Sequence, residues 1–311
     1  MKQAIIDIGS NSIRLTLYEV LGTDFKVLFR TKNMAGLAGY VEKGALSAEG
    51  IECAKQGLLE YRDTLLCLGV TEVSVFATAS LRNISNTNEA ISELQQATGF
   101  HITVIDGGTE AFLGYYGAML ELHIESGAFL DIGGASTELV SFSDAAPINS
   151  ISYPFGSLSL YKNCVKKIIP GENSIKQMTQ VIRTEIKTMD HFQFDHRSPI
   201  VCVGGTARTL IKLAQSLYHL PLGTKKITAA QIEDIYTLLT SGSKSSYRLI
   251  LKLEPDRIHT IIPGLLILRQ IVRLFHAEEI IISKYGVREG YLCQNIILQK
   301  NLSTHIPKTG N

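Results

Sequence analysis

Two short segments of this chain carry the same chemistry-bearing residues in the same order. Ala4-Ile5-Ile6-Asp7-Ile8-Gly9-Ser10-Asn11-Ser12-Ile13-Arg14-Leu15 aligns without a gap on Ala128-Phe129-Leu130-Asp131-Ile132-Gly133-Gly134-Ala135-Ser136-Thr137-Glu138-Leu139, at an offset of 124 residues. Each reads as an apolar strand bearing an Asp, a tight turn of small residues, and a second strand, which together form a hairpin. Glycine allows such a turn a positive φ, and its grouped backbone N–H groups make a concave site for an anion. A carboxylate at the end of a buried strand needs partners, and a phosphate with its metal ion supplies them. The duplication therefore argues for two similar domains closing over one phosphate-bearing ligand.

Other residues fit the same chemistry. Ile200 to Leu210 reads as a strand, the Gly204-Gly205 turn, and a helix opened by Thr206, a ready contact for an anion. Glu110 follows Gly107-Gly108 at the start of a helical run. It is a candidate general base, or, more plainly, a first-turn Glu that complements the helix dipole beside a Thr109 cap. Arg14, Arg82 and Arg257 offer the planar guanidinium that suits phosphate oxygens. Lys244, Arg248 and Lys252 stand four apart, a basic stripe that either tracks a long polyanion or faces water. The eight histidines show no zinc spacing, and neither a G-x-S-x-G elbow nor a G-K-[ST] loop is present.

The elements that must hold these residues alternate. Helical spacing covers Glu49–Leu68, Thr87–Thr98, Thr109–Leu122, Ser174–Met189, Ala229–Ser241, Ser245–Lys252, Pro263–His276 and Glu289–Lys300, with strands at Glu72–Ala77 and His101–Ile105. Strands and helices in alternation mean α/β layers, and the duplication sets a domain boundary near residues 118–127. With 311 residues, 45% hydrophobic and 19% charged, the chain has material for about two domains. A formal charge of +1 excludes a whole-molecule field for a nucleic acid polymer or a membrane. Five scattered cysteines without a C-x-x-C pair fit a reducing compartment. The apolar stretch Ile261–Phe275 is too short and too charged to span a bilayer. A cytoplasmic protein is expected.

The duplicated hairpins and the later Gly-Gly-Thr turn resemble the actin, hexokinase and heat-shock ATPase (ASKHA) superfamily. Within it the chain resembles the exopolyphosphatase/guanosine pentaphosphate phosphohydrolase family over nearly its whole length. Besides the two hairpins, the matching segments are Ala77-Thr78-Ala79-Ser80-Leu81-Arg82-Asn83, Gly107-Gly108-Thr109-Glu110-Ala111, Pro154-Phe155-Gly156-Ser157 and Val203-Gly204-Gly205-Thr206, then Arg257 ahead of Pro263-Gly264, and Tyr285-Gly286-Val287-Arg288-Glu289-Gly290. Two positions depart from the pattern: Ala135 stands where a third glycine is usual, which puts the loop's shape in question, and Lys284 stands where an Asp is common.

The resemblance implies a fold of two duplicated ribonuclease-H-like domains with an interdomain cleft. Domain I covers residues 1–118, completed by a C-terminal helix over 288–311, and domain II covers 119–287. It implies Mg²⁺-dependent (alternatively Mn²⁺-dependent) release of orthophosphate from the end of inorganic polyphosphate, with guanosine pentaphosphate as the alternative substrate on the same site. It makes Glu110 the carboxylate that directs water, and Asp131, Glu138 and Asp7 the metal-linked carboxylates. Gly9, Ser10, Asn11, Ser12, Gly133, Gly134, Ser136 and Gly205 cradle phosphates, while Arg14, Arg82 and Arg257 neutralise them. Asp7 has an equally good structural reading, orienting its own turn, and alternation could place Glu138 in solvent. A kinase or a phosphate sensor on the same frame are the competing classes, and a homodimer is left open.

Overall fold

In the computed structural model, which describes residues 1–186, 192 and 198–298, the two hairpins each open a sheet of the same topology. The described chain divides into two units, one of Met1–Gly117 together with residues 287–298, the other of Ala118–Gly286.

The first unit begins with β1 (Lys2–Ile8), β2 (Ile13–Leu21) and β3 (Asp24–Asn33), an antiparallel run. A small hairpin, β4 (Val41–Glu42) with β5 (Ala45–Leu46), leads into α1 (Ala48–Cys67), whose N-cap Ser47 accepts from the Gly50 N–H. Then come β6 (Val73–Ala77), α2 (Ala79–Arg82), α3 (Thr87–Thr98), β7 (Ile102–Val104) and α4 (Gly107–Met119). The sheet order is β3-β2-β1-β6-β7, with β6 parallel to β1 and β7 parallel to β6. β1 is buried from Gln3 to Ile8 because layers cover both faces of the sheet. Ile6, Ile8, Leu58 and Leu94 belong to the core on one face, and Ile5, Tyr18, Phe76 and Leu113 to that on the other.

The second unit repeats the plan with β8 (Gly127–Ile132), β9 (Thr137–Ser143) and β10 (Ala146–Tyr153) antiparallel. Helices α5 (Ser157–Cys164) and α6 (Glu172–Ile186) precede β11 (Ile200–Val203) and α7 (Gly204–Tyr218). β12 (Lys226–Thr228), α8 (Ala229–Thr240), α9 (Lys244–Leu253), α10 (Ile261–Phe275) and β13 (Glu279–Ile282) follow. The order is β10-β9-β8-β11-β13-β12; apart from the antiparallel edge strand β12, it has the order and strand directions of the first sheet. The apolar stretch Ile261–Phe275 is α10, buried in this core, and among the described residues no helix is long and apolar enough to cross a membrane.

From Val287 to Leu298 the chain belongs to the first unit. α11 (Val287–Tyr291) passes into a π-helical run, Leu292–Ile297, that joins the core around Ile5 and Phe76. The single helix expected over Glu289–Lys300 is thus an α-turn and a π-segment. Residues 299 and 300, the rest of the helix expected to 311, and the end of that expected over Ser174–Met189 lie outside the described residues. α7 starts at Gly204, two residues before the expected Thr206.

Candidate functional site

The first turn is fixed by its own backbone. The Gly9 N–H donates to the Ser12 carbonyl at 3.2 Å. The carbonyls of Ser10 and Asn11 accept from the N–H groups of Ala38 (2.9 Å) and Gly36 (3.1 Å), where Gly36 has φ 60°. Arg14 Nε donates to Ser12 Oγ at 2.9 Å, and Asn11 Nδ2 is buried with no hydrogen-bond acceptor. Asp7 stands directly opposite Arg14 in the β1–β2 pair. Its carboxyl lies above the ordinary range because burial raises it, while Arg14 and Arg288 pull it down and Glu289 adds to the rise.

The second turn makes the same bond, Gly133 N–H to the Ser136 carbonyl at 3.0 Å. Neither Gly9 nor Gly133 has a positive φ; a Cβ on either would stand 3.0 Å and 2.9 Å from the partner carbonyl oxygen. Close approach, rather than the left-handed backbone expected from the sequence, is what excludes a side chain. Ala135 likewise lies outside the positive-φ region, so its methyl group is compatible with this turn. The Gly133 carbonyl accepts from the Ser157 N–H (2.9 Å) and hydroxyl (3.0 Å), and the Gly134 carbonyl from the N–H groups of Leu158 (2.8 Å) and Ser159 (2.9 Å). The turn is therefore bolted to the start of α5. Gly156 permits this, since a Cβ there would meet the Gly133–Ala135 backbone at 2.6–2.7 Å.

Asp131 and Glu138 are directly opposed across β8 and β9. Glu138 is 1% exposed, not in solvent, and its Oε1 accepts from Ser152 Oγ at 2.9 Å. Asp131 Oδ1 lies against Gly204, where a Cβ would be 2.6 Å away and φ is 85°. Two carboxylates set directly opposite on a sheet repel one another, and a shared cation relieves that. Among the described residues no group of three or more His, Cys, Asp or Glu is gathered as a metal cage. A pair of carboxylates is nevertheless the donor set Mg²⁺ takes when phosphate oxygens and water complete its shell.

Glu110 lies in the first turn of α4, 9% exposed. The cap of that helix is Asp106 rather than Thr109: its Oδ1 accepts from the Thr109 N–H at 2.9 Å and its Oδ2 from the Thr109 hydroxyl at 2.6 Å. These bonds hold the Asp106 carboxyl below its ordinary range. Glu110 Oε2 accepts from Arg82 Nη1 at 2.7 Å, and the same nitrogen donates to the Ile105 carbonyl at 3.0 Å. Two residues assigned separate tasks from the sequence are one ion pair.

In the second unit the Arg257 guanidinium lies across Gly205, where a Cβ would stand 1.7 Å from Nη2. Arg257 thus crowns the start of α7. Lys284 is tied to Glu121, its N–H donating to Oε2 at 2.9 Å and its Nζ lying 3.3 Å from Oε1. The Lys244–Arg248–Lys252 row is exposed on α9, opposite buried Ser246 and Ile250. Sequence reasoning gave no role to Arg288, Glu289 or Thr16, although the motif that carries the first two was noticed. Arg288 Nη1 donates to Thr16 Oγ1 at 3.1 Å.

The model of the Ppx/GppA phosphatase family matches residues 16–298. Exopolyphosphatase 1 of Mycobacterium tuberculosis is 22% identical over 304 residues, covering 95% of this chain and 88% of that protein. The crystal structure of an Aquifex aeolicus Ppx/GppA family member superposes with a TM-score of 0.78 at 27% identity, covering 97% and 99% of the two chains. An exopolyphosphatase from Cytophaga hutchinsonii shares the fold, with a TM-score of 0.81 at 20% identity over 94% and 96%.

Proposed function

We propose that this chain, which belongs to the Ppx/GppA phosphatase family, is an exopolyphosphatase that releases orthophosphate from the end of inorganic polyphosphate. Family membership makes it a phosphoanhydride hydrolase. The observation that carries the hydrolytic mechanism is Glu110, a nearly buried carboxylate oriented by Arg82 at 2.7 Å in the first turn of α4. Hydrolysis needs water held in line with the terminal phosphorus and positive charge on the transferring oxygens. Glu110 positions that water and takes its proton as the new P–O bond forms, while the bridging oxygen leaves with the shortened chain. A general base of this kind contributes about 10²–10⁴-fold in rate.

The turns supply the grip. In the Gly9–Ser12 turn the buried Asn11 Nδ2 has no acceptor of its own, and Gly133, Gly134 and Ser136 form the counterpart turn. Arg14 stands beside the first turn, and Arg257 over Gly205 adds a cation in the second unit. Asp131 and Glu138 would hold Mg²⁺, or Mn²⁺ in its place, and the bound ion would neutralise charge on the phosphate oxygens. The exposed row Lys244–Arg248–Lys252 favours a long polyanion over a nucleotide.

The test is phosphate release from long-chain polyphosphate, guanosine pentaphosphate and ATP in parallel, with Mg²⁺ or with EDTA. Metal-dependent release from polyphosphate that collapses in Glu110→Gln supports the reading. Preference for guanosine pentaphosphate keeps the mechanism and changes the substrate. Release from none of the three would overturn it.

A further inference from the structure

The face of the first sheet that carries Arg14 is closed by residues from the far end of the chain. Alternate residues of a strand share a face, so Arg14, Thr16 and Tyr18 form one row on β2. Asp7 is the cross-strand partner of Arg14 and stands on the same face. α11 lies over this row. Its Glu289, 1% exposed, accepts from the Tyr18 hydroxyl and from Arg30 Nη2, each at 2.9 Å. Gly290 runs so close to α4 that a Cβ would stand 1.9 Å from the Leu113 carbonyl oxygen, one turn beyond Glu110.

These contacts divide the work within three consecutive residues. Glu289 and Gly290 dock the segment, and Arg30 faces the charge of Glu289. Arg288 is anchored on Thr16 Oγ1 at 3.1 Å. Thr16 is the diagonal cross-strand neighbour of Asp7, a separation of about 7–8 Å in a sheet, which a guanidinium bridges easily.

We propose that Arg288 is a positioning residue for the hydrolysis, acting through Asp7: anchored on Thr16, its guanidinium holds the Asp7 carboxylate beside the Gly9–Ser12 turn. This rests on the hydrolase reading above. Arg14 spends its Nε on Ser12 Oγ, and Arg288, anchored on Thr16, adds a second guanidinium on the face that carries Asp7.

The experiment compares wild type, Arg288→Gln, Arg288→Lys, Asp7→Asn and the double variant Asp7→Asn/Arg288→Gln, measuring kcat and KM for phosphate release from long-chain polyphosphate with Mg²⁺. Arg288→Gln is expected to lower kcat about 10-fold or more with little change in KM, and Arg288→Lys to recover most of the loss. In the Asp7→Asn background the Arg288 change should alter kcat by less than about twofold, because coupled residues are not additive. Should Arg288→Gln fail to fold, Thr16→Val removes only the anchoring hydroxyl and is read in the same two backgrounds. Unchanged kcat in Arg288→Gln, a silent Thr16→Val, or an equal loss in both backgrounds overturns the proposal. An active wild type with additive variants overturns this inference alone. A wild type that releases no phosphate overturns the hydrolase reading and this one with it.

Discussion

Arg82 donates to Glu110 at 2.7 Å across 28 residues of chain, from the end of a one-turn helix to the first turn of another. The side chains are 16% and 11% exposed, so the pair is largely withdrawn from water. A lone glutamate near a helix start gains from the dipole and is free to rotate. Paired to a guanidinium that is itself fixed on the Ile105 carbonyl, it has one orientation. Orientation is what a water-directing carboxylate needs, more than proton affinity.

Glu110→Gln keeps the shape and the hydrogen bond but removes the base. Phosphate release should fall by about 10²–10⁴-fold with the thermal midpoint nearly unchanged. Arg82→Gln should lower kcat less, about 10–100-fold, and should also destabilise the protein, because it takes the guanidinium away from a largely buried carboxylate. Phosphate-release kinetics with matched thermal melts check both. Full activity in Glu110→Gln would remove it from the chemistry.

The turn glycines are held by sterics, which predicts different outcomes at neighbouring positions. Gly133→Ala places a methyl group 2.9 Å from the Ser136 carbonyl oxygen and should cost about 1–3 kcal/mol. Gly156→Ala, with backbone atoms at 2.6–2.7 Å, should be at least as harmful. Ala135→Gly should change stability by no more than about 1 kcal/mol and leave activity intact, since no positive φ is required there. Chemical denaturation of the three variants decides this.

The hairpins were legible because one duplicated pattern carries its own register: the offset that aligns Asp7 with Asp131 also aligns Arg14 with Glu138, and within each hairpin the two residues, Asp7 with Arg14 and Asp131 with Glu138, are cross-strand partners. The long helices were legible from spacing, to within a few residues at each end. β12 and β13 were not: unlike β7 and β11, which are equally short, neither runs into a Gly-Gly turn that marks its end. The Arg82–Glu110 pair was hidden because it depends on β6 and β7 lying side by side, which spacing does not encode. Asp106 and Thr109 are both good cap residues, and only geometry showed which one caps. Arg288 reaches Thr16 across 272 residues, a distance over which no local signal carries.

Asp7 carries a stability cost that pH should reveal. Burial raises its folded carboxyl pKa above the ordinary value, outweighing Arg14 and Arg288, so the folded state binds the proton at higher pH than the unfolded chain. Stability from this group is complete at acid pH and declines as pH rises through the raised value. Asp7→Asn removes the decline. It should be more stable than wild type near pH 7.5, lose that gain below the usual Asp range, and impair hydrolysis. A variant less stable than wild type at pH 7.5 would show that its ion pairs outweigh its burial.

Glu121 works in the opposite sense, and it explains Lys284. Burial pushes its carboxyl up, but Lys225 Nζ, the Lys284 N–H and the Ser283 hydroxyl together hold it at about 2. A depressed folded pKa contributes stability in full above the ordinary Glu value and loses it as pH falls toward about 2. Glu121→Gln should therefore be less stable by about 1 kcal/mol at neutral pH, a figure kept small by solvent screening, and should lack the acid-dependent loss between roughly pH 4.5 and 2. Lys284→Ala keeps the backbone donor and should cost less. Lys284→Asp sets a second carboxylate beside Glu121 and should cost more, with salt reducing the penalty. Thermal melts across pH and ionic strength measure all three. If Lys284→Ala instead changed the preference between polyphosphate and guanosine pentaphosphate while leaving stability alone, position 284 would act in substrate choice rather than in neutralising Glu121.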